Sequence, residues 1–202
     1  MPSALIDQFR KALQASVPLI AVTTPDPAMT IASLLTVRPA EIQNEDYGVL
    51  QWDVIDGLTV TSAEGQLDSP PSTLISKDVL TKLLQEQTIA SGMKNLAFTL
   101  THARKLPQNT ILFIHNSHRF LHDTAVLQAL WNLRDPFKNE GKTLVVLAPH
   151  LKLPIELSHD VIVLDDPLPN REQLRSIITT QYDNARQANH SIPTPTDEAL
   201  DH

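Results

Sequence analysis

Five short apolar runs constrain the fold of this chain more than any other feature. Each is rich in Val, Ile, Leu or Phe and shows little alternation of apolar with polar residues. Strands of a parallel sheet that is covered on both faces have this pattern. The runs have the sequences PLIAVTT, GVLQWDV, TILFIHN, TLVVLAP and DVIVLDD, and they begin at Pro18, Gly48, Thr110, Thr143 and Asp160. We therefore predict five strands of a buried, mostly parallel sheet.

Segments with helical periodicity alternate with these runs. Apolar residues recur at helical spacing from Leu5 to Leu13, from Leu80 to about Arg104 with a break at Gly92, from Phe120 to Phe137, and from Leu174 to Ile178. Alternating strands and helices predict a three-layer α/β fold with right-handed crossovers.

Two stretches fall outside this alternation. Residues 57–76 are polar and rich in turn-forming residues, which predicts a surface loop. Residues 187–202 contain Pro193 and Pro195 and then a helix start at Thr196 whose apolar face is not completed. We therefore predict an α/β domain over residues 1–186, followed by a linker and the start of a helix over residues 187–202.

The overall composition excludes several classes of protein. The formal net charge is -7 and no run of Lys and Arg with interleaved aromatic residues occurs, so the sequence shows no nucleic-acid footprint. The absence of cysteine excludes disulfides and thiolate sites. Because no apolar stretch approaches the roughly 20 residues of a membrane span, we predict a soluble cytoplasmic protein.

The turn after the first predicted strand is the place where a phosphate would bind in a nucleotide-binding sheet. A phosphate site there needs glycines, whose backbone N–H groups surround the anion, and a lysine. The segment TTPDPAMT, residues 23–30, has neither. Pro25 and Pro27 remove two N–H donors, and Asp26 adds a repulsive charge. The sequence predicts no phosphate binding at this turn.

Gly141-Lys142-Thr143 matches the end of a phosphate-binding loop, but its context is wrong. The position five residues before Gly141, where such a loop has another glycine, is Pro136. The triplet also follows a predicted helix and opens a strand, which is the reverse of the required order. We interpret Gly141 as the glycine that ends a helix.

Acidic and basic catalytic groups are also missing at the expected places. Many nucleotide hydrolases hold magnesium with a strand that ends in Asp-Glu. The third run ends in His115-Asn116, and neither side chain is an anionic oxygen ligand. Asp123, the nearest downstream carboxylate, is predicted on the next helix. No arginine lies between Asp135 and Asn170. We therefore predict no catalytic and no cofactor-binding residue in this chain.

The order of these elements, together with four motifs, resembles an AAA-type ATPase module. The motifs are WDVIDGL from Trp52, HRFL from His118, GKTLVVLAPHLKLP from Gly141 and DDPLPNREQL from Asp165. More closely, the chain resembles the N-terminal, degenerate AAA-like domain of the chloroplast-frame and cyanobacterial type of AAA ATPase. The resemblance covers roughly residues 16–178.

This resemblance implies a five-stranded sheet of the P-loop NTPase type without a functional P-loop. It places His115 and Asn116 at a degenerate Walker-B-like position and His150 at a degenerate sensor-like position, and it makes residues 187–202 the start of an incomplete helical lid. It implies assembly with identical or other protein subunits. ATP and magnesium are expected in a separate, downstream AAA domain and not in this chain.

His115, His118 and His122 are the candidates for a rival function, a zinc-dependent hydrolase. His118 and His122 would share a helix face, with Asp123 or His115 as the third ligand. Zinc enzymes with two histidines on one helix place an acid between them, whereas Arg119, Phe120 and Leu121 stand here. The alternative interpretation is that His115 caps a strand, His118 packs in a loop and His122 faces solvent.

Other polar and aromatic candidates have structural interpretations. Asp165-Asp166 can cap the next turn, and Asp53 and Asp56 can bond the backbone at Gly57. Trp131 and Phe137 lie at helical spacing, which predicts that both pack in the core.

The leading hypothesis is a non-catalytic AAA-like domain that serves oligomer assembly or partner binding in an ATPase. Three alternatives stay open: the metal-dependent hydrolase, nucleotide binding without hydrolysis, and an ATPase module that is active only within a longer chain or ring.

Overall fold

The computed structural model describes residues 4–36, 48–60, 92–166, 168 and 171–188. The chain forms two compact units, Met1–Asp166 and Pro167–His202. Leu80, Asn170 and Thr196, with the surrounding predicted helix ends, lie outside the described residues. The proposed division between residues 186 and 187 stays a prediction.

The first unit contains six strands and four helices among its described residues. The helices are α1 (Ala4–Gln14), α2 (Pro27–Leu35), α3 (Leu96–Ala103) and α4 (Thr124–Asn139), and the strands are β1 (Leu19–Thr23), β2 (Val49–Asp53), β3 (Gly57–Val60), β4 (Ile111–Ile114), β5 (Thr143–Ala148) and β6 (Ile162–Asp165). The second unit contains helix α5 (Arg171–Ala188).

The strands form one sheet in the order β3-β2-β4-β5-β1-β6. All neighbours are parallel except β2 and β3, which pair antiparallel. The five predicted strands are all present, and the α/β fold with a mostly parallel sheet is confirmed. All six residues of β5 are buried, as expected for a parallel strand that is covered on both faces. The expectation of burial is wrong for the edge strand β6, where Ile162 and Val163 are exposed and Leu164 is buried.

The sixth strand, β3, lies where the sequence predicts a surface loop, so that prediction is wrong for residues 57–60. The Asp53 carboxylate accepts hydrogen bonds from the backbone N–H groups of Ile55, at 2.7 Å, and Asp56, at 2.9 Å. Gly57 follows with a left-handed φ of 74°. These features make a tight hairpin. The strand that follows has only four residues, too few for an alternation of apolar and polar residues to be recognised in the sequence.

Helix α2 begins within residues 23–30, the segment for which the sequence predicts no phosphate binding. Pro27 occupies the first turn, where the missing N–H has no helical partner to lose. The Asp26 carboxylate caps the helix by accepting the Met29 N–H at 3.1 Å. Asp26 and Pro27, on which the prediction against a phosphate loop partly rests, are therefore residues that favour the start of this helix.

Two hydrophobic clusters cover the two faces of the sheet. Alternate residues of one strand contribute to both, so Leu112 faces α3 and α4 while Phe113 faces α1 and α2. Trp52 is fully buried in the first cluster, and its indole N–H donates to the Met93 carbonyl at 2.7 Å. The alternation of side chains along a strand thus decides which of its residues pack against which pair of helices.

Lys142 has a structural role at the amino end of β5. Its side chain is buried, and its ammonium donates to the Arg104 carbonyl at 2.9 Å and pairs with the Glu140 carboxylate. Gly141 has a left-handed φ of 64° directly after α4. The interpretation of Gly141 as a helix-ending glycine is confirmed.

Candidate functional site: the carboxyl edge of the sheet

The carboxyl ends of the parallel strands meet at one edge of the sheet, where ligands bind in open α/β folds. Thr24, His115 and Asp166 follow β1, β4 and β6 at this edge, and Pro149 follows β5. Register brings the ends of β1 and β6 together, because Thr23 pairs with Asp165. We call this region the carboxyl edge.

A buried polar cluster joins the end of β1, the start of α2 and the end of β6. The Thr30 hydroxyl lies 2.5 Å from the Asp166 carboxylate and 2.6 Å from the Thr24 hydroxyl. The Thr24 hydroxyl also accepts the Asp26 backbone N–H at 3.0 Å. Thr24 and Thr30 are fully buried. The sequence analysis missed both threonines; their pairing with a distant carboxylate has no local sequence signal.

Asp166 makes two contacts that its sequence position does not predict, while the predicted cap of the next turn lies largely outside the described residues. Its backbone N–H donates to the Thr23 carbonyl at 2.8 Å, which extends the pairing of β1 and β6. Its carboxylate turns towards the first turns of α2 and contacts Thr30. A negative charge near a helix N-terminus is stabilised by the unpaired N–H groups there. The chain thus supplies its own anion at this position.

His115 lies half-buried between β2 and β4. Its backbone N–H donates to the Trp52 carbonyl at 3.0 Å, and its Nε2 lies 2.7 Å from the Gln51 side-chain oxygen. Burial lowers the pKa of His115, and the nearby Asp53 carboxylate offsets part of this decrease. His115 therefore joins two strands in its neutral form, which agrees with the interpretation that it caps a strand.

The other histidine candidates lie in different surroundings. Asn116 has a left-handed φ of 51° and precedes a 3-10 turn over Ser117–Arg119, which contains His118. His118 Nδ1 is buried and has no hydrogen-bond partner within the described part of the chain. His122 is exposed, as expected. Asp123 does not lie inside the helix but caps α4, accepting N–H groups of Ala125 and Val126.

The structure does not assemble these side chains into a ligand set. Over residues 4–36, 48–60, 92–166, 168 and 171–188, no three His, Asp or Glu side chains lie close enough together to hold a metal ion. One nitrogen of His115 contacts Gln51, and His122 faces solvent. His150, at the sensor-like position, is exposed beyond the end of β5.

No helix in the described ranges is both long and apolar enough to cross a membrane.

A mostly parallel sheet with helices on both faces and polar residues at its carboxyl edge defines the chain as an α/β domain with the layered architecture of nucleotide-binding proteins. A family model described as "SpoVK-like AAA ATPase, N-terminal domain" matches residues 5–165. The chain belongs to this family, and the resemblance to an N-terminal AAA-like domain is confirmed.

Two relatives are proteins described as "Uncharacterized AAA domain-containing protein ycf46". The one from Guillardia theta is 32% identical over 65 residues, which cover 32% of this chain and 13% of that protein. The one from Gracilaria tenuistipitata var. liui is 31% identical over 68 residues, which cover 34% of this chain and 14% of that protein. The match therefore spans only a small part of these longer relatives.

Solved structures with a similar fold include a RuvB variant and domain III of the replication initiation protein DnaA, both from Thermotoga maritima. The RuvB chain has a TM-score of 0.49 at 18% identity, with 90% of this chain and 50% of that chain covered. The DnaA domain has a TM-score of 0.47 at 16% identity, with 96% and 73% covered.

Proposed function

We propose that this chain is a non-catalytic domain of an AAA-family ATPase, which neither binds nor hydrolyses nucleotide and serves assembly or partner binding. One observation carries the proposal. The Asp166 carboxylate contacts Thr30 at the start of α2, on the side of the sheet where a nucleotide phosphate would need to sit.

The electrostatics of this position oppose a phosphate. Two unit charges of like sign 4 Å apart repel by about 4 kcal/mol at the effective dielectric constant near a protein surface. A phosphate at the start of α2 would face the charges of both Asp26 and Asp166. Pro27 offers no N–H, and the Met29 N–H is already bonded to Asp26.

Among the described residues, the carboxyl edge also lacks the other groups that nucleotide chemistry requires. His115 and Asn116 offer no carboxylate to magnesium at the end of β4. The only glycine–lysine pair of the P-loop type, Gly141-Lys142, lies at the opposite edge with its lysine buried against Arg104. ATP and magnesium would instead belong to a separate AAA domain of a longer cytoplasmic protein, and this domain would contact identical or other subunits.

Equilibrium binding of labelled ATP with magnesium tests the proposal. We expect no saturable binding up to about 1 mM, the weakest class of specific affinity, and no hydrolysis above background. Saturable binding in the micromolar range would overturn it.

Asp166→Asn provides a matched comparison, because it removes the charge and keeps the size of the side chain. If the charge of Asp166 excludes phosphate, this variant should bind ATP more tightly than the wild type does. Asp165→Asn, at the exposed neighbouring position, should leave ATP affinity at the wild-type level.

A further inference from the structure

The tip of the β2–β3 hairpin presents two apolar side chains to solvent. Val54 and Ile55 are 48% and 69% exposed. Turns of this kind are normally built from Gly, Asn, Asp, Ser and Pro, and β-branched apolar residues are disfavoured there. We call Val54, Ile55 and Asp56 the hairpin tip. Its composition contradicts its local structure, and such conflicts mark functional positions.

The hairpin tip is held rigidly. Asp53 accepts two backbone N–H groups of the tip. Behind it, a Cβ at Gly57 would come within 3.0 Å of the Met93 carbonyl oxygen, which already accepts hydrogen bonds from Trp52 and Thr99. A rigid element loses little conformational freedom when it binds, so it is well suited to recognition.

A complementary surface lies on α4. Trp131, predicted to be a core residue, is 43% exposed, whereas Phe137 is fully buried as predicted. The Trp131 ring stacks against the Arg134 guanidinium, whose Cζ lies 4.7 Å from the ring centroid. Lys138 is exposed and lies seven residues after Trp131, on the same side of the helix. We call Trp131, Arg134 and Lys138 the α4 patch.

The α4 patch is ordered and carries an excess of positive charge. Arg134 contacts Asp160 at 2.9 Å and Asp135 at 3.2 Å, which fixes its position over Trp131. Arg104 donates to the Asn132 carbonyl at 2.9 Å, beside Trp131. The surface around Trp131 therefore carries three cations (Arg104, Arg134, Lys138) and two carboxylates (Asp135, Asp160). Exposed Trp and Arg are the residues most often found at the centres of protein interfaces.

We propose that the hairpin tip of one copy of this chain docks on the α4 patch of a second copy. The tip is apolar and flanked by the acids Asp53 and Asp56, which outnumber the one neighbouring cation in the described part of the chain, Lys94. The patch is aromatic and carries an excess of basic groups, so the apolar character and the charges of the two surfaces are complementary. The two surfaces lie on different elements, so each contact joins unlike surfaces of the two copies. This inference rests on the assembly role proposed above and names the partner and the surface.

Sedimentation velocity of the full 202-residue chain tests the contact. We expect the wild type to self-associate at concentrations up to about 1 mM. Val54→Thr with Ile55→Thr, which keeps β-branching, and separately Trp131→Ala should each weaken the association roughly tenfold or more. Ile155→Thr is the matched control, because Ile155 is 82% exposed elsewhere and should associate like the wild type.

A mixing experiment separates a direct contact between the tip and the patch from a general loss of structure. The hairpin variant keeps an intact α4 patch, and the Trp131→Ala variant keeps an intact tip. An equimolar mixture of the two should therefore form a 1:1 dimer that neither forms alone. Charge reversal gives a second measurement: Asp56→Lys and Lys138→Asp should each weaken the association, and their combination should restore it.

The outcomes also separate this inference from the proposed function. A wild type that stays monomeric throughout, or a mixture and a charge-reversed pair that do not associate, would overturn the docking contact. Variants that associate as strongly as the wild type would overturn it as well, while leaving an assembly role through another surface. ATP binding is measured independently, so its result bears only on the proposed function.

Discussion

The Thr30 hydroxyl donates a hydrogen bond of 2.5 Å to the Asp166 carboxylate, joining residues that lie 136 positions apart in the chain. This contact connects the start of α2 to the end of β6, and Thr24 completes it from the end of β1. A position that receives a ligand in other sheets is here part of the domain's own structure.

Replacing Thr30 with Val tests the stabilising role of this cluster. The variant keeps the side-chain shape but removes the hydroxyl that contacts both Thr24 and Asp166, so the free energy of unfolding should fall by about 1–3 kcal/mol. Thr101→Val is the control, since its hydroxyl also bonds the carbonyl four residues earlier but is exposed. Urea unfolding should show a change of less than about 0.5 kcal/mol for that variant.

Replacing Gly57 with Ala should destabilise the β2–β3 hairpin. The left-handed backbone alone costs about 1–2 kcal/mol for a residue with a Cβ, and the new methyl group would press on the Met93 carbonyl, which cannot move alone. Gly141→Ala has a similar φ but meets the end of the Asn109 side chain, which can rotate away. Thermal unfolding should therefore show the larger loss for Gly57→Ala; equal losses would argue against the Met93 contact.

Lys142→Ala should lower the free energy of unfolding by about 3 kcal/mol, because it removes a buried partner of Arg104 and Glu140 and leaves a cavity. The exposed Lys138→Ala should change it by less than about 0.5 kcal/mol. Denaturant titration of both variants is the measurement. A Lys142 variant with wild-type stability would contradict the structural role assigned to this lysine.

The stability of the domain should depend on the protonation of His115. Burial places its folded-state pKa below the ordinary histidine value of about 6.5, so the unfolded chain binds the proton first as the pH falls. The contribution of His115 is therefore complete above about pH 6.5 and decreases as the pH drops below it. His115→Gln should show a smaller loss of stability between pH 7 and pH 5, two points that bracket the ordinary histidine pKa.

Asp53→Asn provides the opposite change, because the Asp53 charge raises the pKa of His115. Asparagine can still cap the hairpin, so the main effect should be electrostatic. Removing the charge should lower the pKa of His115 further. The domain should therefore lose more stability between pH 7 and pH 5 than the wild type does. A pH profile that stays the same in both variants would rule out His115 as a contributor.

The apolar runs were sufficient to predict five strands, since a buried parallel strand needs a continuous apolar sequence. They were not sufficient for β3, which is short, pairs antiparallel and depends on the turn made by Asp53 and Gly57. Helix α2 was missed because Pro25 and Pro27 suggest a break, whereas Pro27 in the first turn is favourable. For Trp131, helical spacing gives the repeat but does not define where the buried face ends.

The carboxyl edge was predicted mainly through residues that are missing from it. The prediction that no phosphate loop forms there needs only the sequence around Pro27. The cluster of Thr24, Thr30 and Asp166 could not be predicted, because it depends on β1 and β6 lying side by side. Such pairing between distant strands is a property of the whole sheet and leaves no local sequence signal.

Strand β1 lies between β5 and β6, and its first residue, Leu19, pairs with Leu144. Contacts so distant in sequence form slowly, because a long loop must close before they add stability. During synthesis, β1 therefore lacks both neighbours until the ribosome has released β5, which ends at Ala148, and it lacks β6 until Asp165 is released. For that interval an apolar strand is available to other chains, so chaperone dependence would be greatest before β6 emerges.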